Sequence, residues 1–204
     1  MSDEKQWLGN WALIPDGFPD SDGLVKFILD HYEPIPAELA DSVIRKDYRN
    51  CEIRGLDKRK EIALTNLCYS HFYEANRNMY NFDIEWINDL QFTTYHAADP
   101  DSKDKMRRKP GHYVMHQDVE TNDEGTLPRP FNRKLSMTIN LSDPDDYEGG
   151  DFRFESGINE LPYEESRKKG SILIFPSFYM HEVTPVTKGT RHCLVTWIEG
   201  PKWR

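Results

Sequence analysis

Three residues in this chain are spaced as a metal site requires. In His116-Gln117-Asp118 an imidazole and a carboxylate stand two positions apart. On a β-strand, positions i and i+2 share a face, about 7 Å apart along the backbone, so both groups can converge on one ion while Gln117 points away. His181 opens another strand-like run and supplies a third ligand. Two histidines and one carboxylate cover one face of an ion and leave three positions open. That is the donor set of non-haem iron(II) centres, whose open positions take a co-substrate and oxygen. Ten residues after His181, Arg191 opens a strand in which Cys193, Val195 and Trp197 share its parity. If this strand lies beside that of His181, the guanidinium enters the same cavity, where its planar fork suits a carboxylate. An HxD triplet alone is common by chance, and a single arginine is usually half of a surface ion pair. The ordered set of HxD, His and Arg sets the chance reading aside.

The other histidines carry less. His31, His71, His96 and His192 have no ligand-like context, and His112 shares the strand parity of His116, either lining the pocket or simply pointing inward.

The elements that must hold these residues follow from periodicity. Ser21 and Asp22 can cap a helix in which Leu24, Val25, Phe27, Ile28 and Tyr32 recur at helical spacing before Pro34. A longer helix is expected over Asp57–Tyr80, with Leu64, Cys68, Phe72, Ala75 and Met79 on one stripe. From about residue 90 the pattern becomes that of strands: Gln91–His96, His112–Gln117, Arg133–Leu141, Asp151–Glu155, Ser171–Phe175, His181–Val186 and Arg191–Ile198. Turn signals separate them, among them Pro110-Gly111, Glu148-Gly149-Gly150 and Lys188-Gly189. Short strands after two helices point to a mainly β fold, a double-sheet jelly roll braced by N-terminal helices. We read one domain over 1–204, with a helical support region at 1–89 and a catalytic core at 90–200. Between strands, Lys103, Lys105, Arg107, Arg108 and Lys109 make a basic insert at 97–111. Its plainer reading is a solvated loop, and the alternative is a lid that attracts acidic substrates. Thr121–Arg129 offers a second lid.

Composition narrows the function classes. The chain has 204 residues, 37% hydrophobic and 12% aromatic, with a formal charge of −9, which disfavours a general nucleic-acid binder. Cys51, Cys68 and Cys193 are odd in number and form no CxxC pair, so reduced thiols are expected rather than disulfides or a thiolate zinc site. No stretch approaches the roughly 20 apolar residues of a membrane span, and the acidic N-terminus is unlike a signal peptide. A soluble, cytoplasmic protein is the expectation.

Three stretches carry a resemblance to a known family: HQD at 116–118, RKLSMTINLSDPDDYEGGDF at 133–152, and GSILIFPSFYMHEVTPVTKGTRHCLVTWIEG at 170–200. From about Leu90 to Gly200 the chain resembles the 2-oxoglutarate/Fe(II) oxygenase superfamily, in its prolyl-4-hydroxylase-like branch, and is similar to the bacterial PKHD-type hydroxylases. The resemblance implies Fe(II) held by His116, Asp118 and His181, with 2-oxoglutarate and O2 as co-substrates and Arg191 as the basic anchor for 2-oxoglutarate. Tyr95 matches a tyrosine that contacts 2-oxoglutarate, Trp197 an aromatic residue lining its pocket, and Arg133 an arginine that approaches the substrate. Asn140 stands where some relatives place a tyrosine on the 2-oxoglutarate tail. The implied activity is hydroxylation of peptidyl proline, a free amino acid or small metabolite being the alternative. Two other branches fit less well. Halogenases of the superfamily lack the carboxylate that Asp118 supplies, and its nucleic-acid demethylases carry a second arginine where this chain has Trp197. From another class, a non-catalytic metal-binding jelly roll would explain the strands and histidines but would not require Arg191.

Overall fold

A sheet with neighbours on both sides needs buried side chains on both faces, and the long strands here alternate accordingly. A computed structural model describes residues 6–7, 10–36, 48–105, 107–119 and 131–202. The second lid expected at 121–129 lies outside them. In chain order the elements are β1 (Gln6–Trp7), β2 (Ala12–Ile14), α1 (Ser21–His31), β3 (Ile35–Pro36), β4 (Arg49–Asn50), β5 (Glu52–Leu56) and α2 (Ile62–Ala75). A π-helical turn, Asn76–Tyr80, continues α2. There follow β6 (Trp86–His96), β7 (His112–His116), β8 (Phe131–Asn140), β9 (Tyr147–Gly149), β10 (Phe152–Phe154), α3 (Tyr163–Arg167), β11 (Ile172–Pro176), β12 (His181–Val183) and β13 (Val186–Pro201).

Among the described residues, the major sheet runs β1-β2-β11-β8-β13-β6-β5-β3, with β9 also paired to β13, and the minor sheet runs β10-β12-β7-β4. The pairings are antiparallel. This is the helix-braced double sheet of a jelly roll.

Alternation divides the major sheet's side chains between two environments. Leu90, Phe92, Leu135, Met137, Ile139, Leu194 and Ile198 pack with Ile28 of α1 and Leu64, Cys68, Phe72 and Ala75 of α2 in one apolar core. Between the sheets lie smaller clusters, one around Tyr95, Val183, Val186 and Cys193, another around Trp11, Leu173 and Phe175. All three cysteines are free and buried. Among the described residues, no helix is long and apolar enough to cross a membrane.

Several local expectations change. Asp20, one residue earlier than expected, caps α1 by accepting from the Gly23 N–H. The long helix starts at Ile62, because Asp57–Lys60 form a turn in which the Asp57 carbonyl accepts from Lys60 and Glu61. The N-terminal region also does more than brace. Its β2 pairs with β11, β5 with β6, and β4 with β7, so it completes both sheets. These strands are too short for a period to register.

The strand expected at His181–Val186 ends at Val183, where the chain passes through Pro185 into the other sheet and begins β13. Lys188-Gly189, which reads as a turn, lies within that 16-residue strand, at an irregularity in its pairing with β9. Glycine marks bulges as well as turns, because both use φ values closed to other residues. The described part of the basic insert is a hydrogen-bonded loop: Asn50 Nδ2 donates to the Lys109 and Pro110 carbonyls, and Gly111 N–H to that of His96.

Gly189 has φ 71°, and a methyl group there would overlap the Asp146 carbonyl oxygen. Gly189→Ala should therefore cost at least about 2 kcal/mol, from left-handed strain plus displacement of β9. Urea unfolding checks this, and an unchanged midpoint would mean that the crossing of β9 and β13 is loose.

Candidate metal centre

β7 ends on His116 and β12 begins on His181, and the antiparallel register sets these two residues directly opposite each other. Their rings lie 4.2 Å apart. Asp118 lies just beyond β7, its N–H donating to the Ser177 carbonyl at 2.9 Å. Its Oδ1 is 3.5 Å from His116 Nε2 and its Oδ2 3.5 Å from His181 Nε2. One ligand atom from each residue lies within 4.8 Å of the others, and all three residues are buried. Donors 3.5 Å apart, as Asp118 is from each histidine, can share an ion bound at about 2.0–2.2 Å.

The ring orientations are set by backbone. His116 Nδ1 lies 2.8 Å from the Val114 carbonyl oxygen, and His181 Nδ1 2.8 Å from that of Tyr179. A carbonyl can only accept, so each Nδ1 carries a proton and each Nε2 faces Asp118, where a neutral ring offers its lone pair to a metal. Burial lowers His181 to about 4, outweighing the pull of Asp118, so it is neutral near pH 7. Burial alone would raise Asp118, yet His181 and His116 in their charged forms, together with the Ser136 hydroxyl, hold it well below the usual carboxylate range. Ser136 Oγ donates to Asp118 Oδ2 at 2.7 Å and also contacts Ser177 Oγ at 2.9 Å. Two imidazole lone pairs and a carboxylate aimed at one point repel one another unless a cation lies among them. The donor set therefore fits a divalent ion.

The cavity beside these ligands is lined by Arg49, Tyr95, Tyr113, Thr138, Arg191 and Trp197, among others. Arg191 and Tyr95 are partners across β13 and β6 and so share a face. Arg191 is 4% exposed, and its Nε and Nη1 have no hydrogen-bond partner. Trp197 lies on the same face, opposite Ser136, with its Nε1 also unpartnered. Arg133 stacks over the Trp197 ring at 3.9 Å and makes a long 3.5 Å contact with the Asp118 carbonyl, beside the metal ligands.

One sequence expectation does not hold at the cavity, and one open alternative falls away. Asn140 is absent from the lining. Its Nδ2 donates to the carbonyls of Ser142, Arg167 and Lys168, tying the end of α3 to β8, so its donors are already committed. His112 is also absent. On β12 two steps separate His181 from Val183, whereas on β7 three separate their partners His116 and Tyr113. This bulge reverses parity and puts Tyr113 in place of His112. Tyr113 stacks on His116 with centroids 3.5 Å apart.

Arg49 and Tyr113, which line the cavity, and Ser136, which holds Asp118, are the residues around the centre that sequence reasoning missed. Only Ser136 left a signal, as one of the polar residues that alternate along this strand with Thr138 and Asn140. A larger cavity of about 600 Å³ also borders Arg191, lined by Tyr147, Phe152, Tyr163 and Arg167 among others, and contains none of the three ligands.

Over residues 104–199 the sequence matches the 2OG-Fe(II) oxygenase superfamily. A PKHD-type hydroxylase of Alteromonas mediterranea is 36% identical over 88 residues, covering 43% of this chain and 38% of that one. Another, of Sphingopyxis alaskensis, is 37% identical over 98 residues, covering 46% and 42%. The chain thus spans 38% and 42% of the length of these two relatives. Among solved structures, a Trichoplax adhaerens prolyl hydroxylase in complex with a hypoxia inducible factor peptide fragment is similar. It gives a TM-score of 0.68 at 17% identity, covering 93% of this chain and 83% of that one. The viral collagen prolyl hydroxylase of Paramecium Bursaria Chlorella virus-1 gives 0.65 at 17% identity, covering 95% and 97%. At such identities the likeness is one of fold.

Ser136→Ala removes the hydroxyl that holds Asp118 while keeping the strand. Loss of such a supporting group should weaken Fe(II) binding by about 10- to 100-fold. Anaerobic metal titration measures it, and wild-type affinity would show that the Ser177 backbone alone orients Asp118.

Proposed function

Because residues 104–199 match the 2OG-Fe(II) oxygenase superfamily, we propose that this protein is an Fe(II)- and 2-oxoglutarate-dependent dioxygenase that hydroxylates an unactivated C–H bond. His116, Asp118 and His181 hold the metal. Arg191 receives the far carboxylate of 2-oxoglutarate, with Tyr95 beside it and Trp197 forming the wall. Arg133 stands where a substrate would approach. When bound, iron and 2-oxoglutarate supply the oxidising chemistry: O2 and 2-oxoglutarate give succinate and CO2, and one oxygen atom passes to the substrate. The chain's own part is to orient both guests and keep bulk water out.

The observation that carries this reading is the state of Arg191. It is buried in the cavity that contains the metal ligands, with two N–H-bearing nitrogens unpartnered. Among the described residues it makes no ion pair with a carboxylate. A buried guanidinium without an anion is costly, and a bidentate carboxylate guest removes that cost. A purely structural metal site has no use for such a group.

Peptidyl proline is the first substrate we propose, in line with the PKHD-type relatives and the prolyl hydroxylase folds. A free amino acid or other small metabolite is the second. The three free thiols accord with a cytoplasmic location.

Arg191→Ala should leave Fe(II) affinity nearly unchanged and weaken 2-oxoglutarate more than a hundredfold, the equivalent of about 3–5 kcal/mol for a lost buried ionic partner. Arg191→Lys should recover part of it, because the charge survives but the fork does not. Paired anaerobic titrations of Fe(II) and 2-oxoglutarate on the three proteins decide the matter. Equal 2-oxoglutarate affinities would remove Arg191 from the site, and a wild type that binds no 2-oxoglutarate would remove the oxygenase reading.

A further inference from the structure

The cavity contains a second buried arginine that the assignment above leaves unused. Arg49 is 8% exposed and lines the cavity beside His116, Asp118 and His181. It comes from β4, on the edge of the minor sheet, whereas Arg191 comes from β13 in the major sheet. The two guanidinium groups thus enter from opposite walls. Arg49 Cζ lies 4.6 Å above the Tyr113 ring, whose stacking on His116 places this charge near the metal ligands. Its one hydrogen bond among the described residues runs from Nε to Cys51 Sγ, a weak acceptor, at 3.1 Å. No carboxylate pairs with it there.

Charge balance sharpens the point. Asp118 is the one carboxylate lining the cavity among the described residues, and it faces the histidines. Burial pushes the Cys51 thiol up and the Tyr95 phenol well up, so neither supplies an anion. With a divalent ion and doubly negative 2-oxoglutarate in place, one positive charge remains unanswered. Buried charges are rarely left so, because desolvation without a partner costs several kcal/mol.

Resting on the oxygenase reading, we infer that Arg49 binds a carboxylate carried by the substrate, so that the enzyme acts on anionic substrates. The carboxylate comes either from the α-carboxylate of a free amino acid or from an acidic side chain close to the reacting residue of a peptide. In both cases Arg49 fixes the substrate from the wall opposite Arg191 and leaves the 2-oxoglutarate anchor free.

The test uses the intact protein loaded anaerobically with Fe(II) and 2-oxoglutarate, followed by calorimetry. One arm titrates the common L-amino acids, each against its carboxamide. The other titrates a proline-containing peptide with Asp and Glu flanks against the same peptide with Asn and Gln. A carboxylate probe should bind at least about tenfold more tightly than its neutral twin, as one charge-assisted hydrogen bond predicts. The arm in which this occurs identifies the source. Arg49→Met should erase that difference by weakening only the charged probe, with 2-oxoglutarate affinity unchanged, and Arg49→Lys should restore part of it. Equal binding of acid and amide by wild type, or no binding of any charged probe, overturns the inference without relying on a variant that folds. Loss of 2-oxoglutarate binding in a folded Arg49→Met also overturns it, assigning Arg49 to the co-substrate. Failure of wild type to bind 2-oxoglutarate appears at the loading step and sinks the oxygenase reading instead.

Discussion

Three electron-pair donors converging in a buried site repel one another, and much of the structure around this centre works against that repulsion. Each imidazole is locked by a backbone carbonyl two residues before it, Val114 for His116 and Tyr179 for His181. The antiparallel register of β7 and β12 brings the two rings together. Asp118 is held from the other sheet, by the Ser136 hydroxyl and the Ser177 carbonyl. The centre is therefore also a joint between the two sheets, and its preorganisation depends on their packing.

β13 links that joint to the rest of the cavity. One face of the strand, with Leu194 and Ile198, is buried in the core with α2. The other carries Arg191, Cys193, Val195 and Trp197 along the cavity wall. The helices thus hold the site indirectly, by fixing the sheet on which its residues stand. Gly189 lets β13 pass β9 just before Arg191, where a side chain would strike the Asp146 carbonyl.

The electrostatics of the cavity run opposite to those of the chain. A formal charge of −9 describes the surface that solvent sees, whereas Arg49 and Arg191 are buried and without acidic partners among the described residues. Net charge bears on solubility and on polyanion binding. It carries no information about a desolvated cavity, where one or two groups set the local field.

The ligand set and the oxygenase resemblance were legible in the sequence because they depend on residue type and order: an HxD, a later His, and an Arg ten residues on. Strand alternation likewise placed Arg191, Val195 and Trp197 on one face, since parity survives wherever pairing is regular. The same rule failed for His112, because a bulge in β7 is a property of two strands paired together and one strand's pattern does not record it. Asn140 looked available until α3 was seen to take its donors. Arg49 was invisible for a related reason: a two-residue strand has no period, and only its docking against β7 carries it to the metal ligands. Sequence by itself determined which groups could do the chemistry. Tertiary structure decided which of them meet, because hydrogen-bond commitments and strand register arise only when distant segments pack.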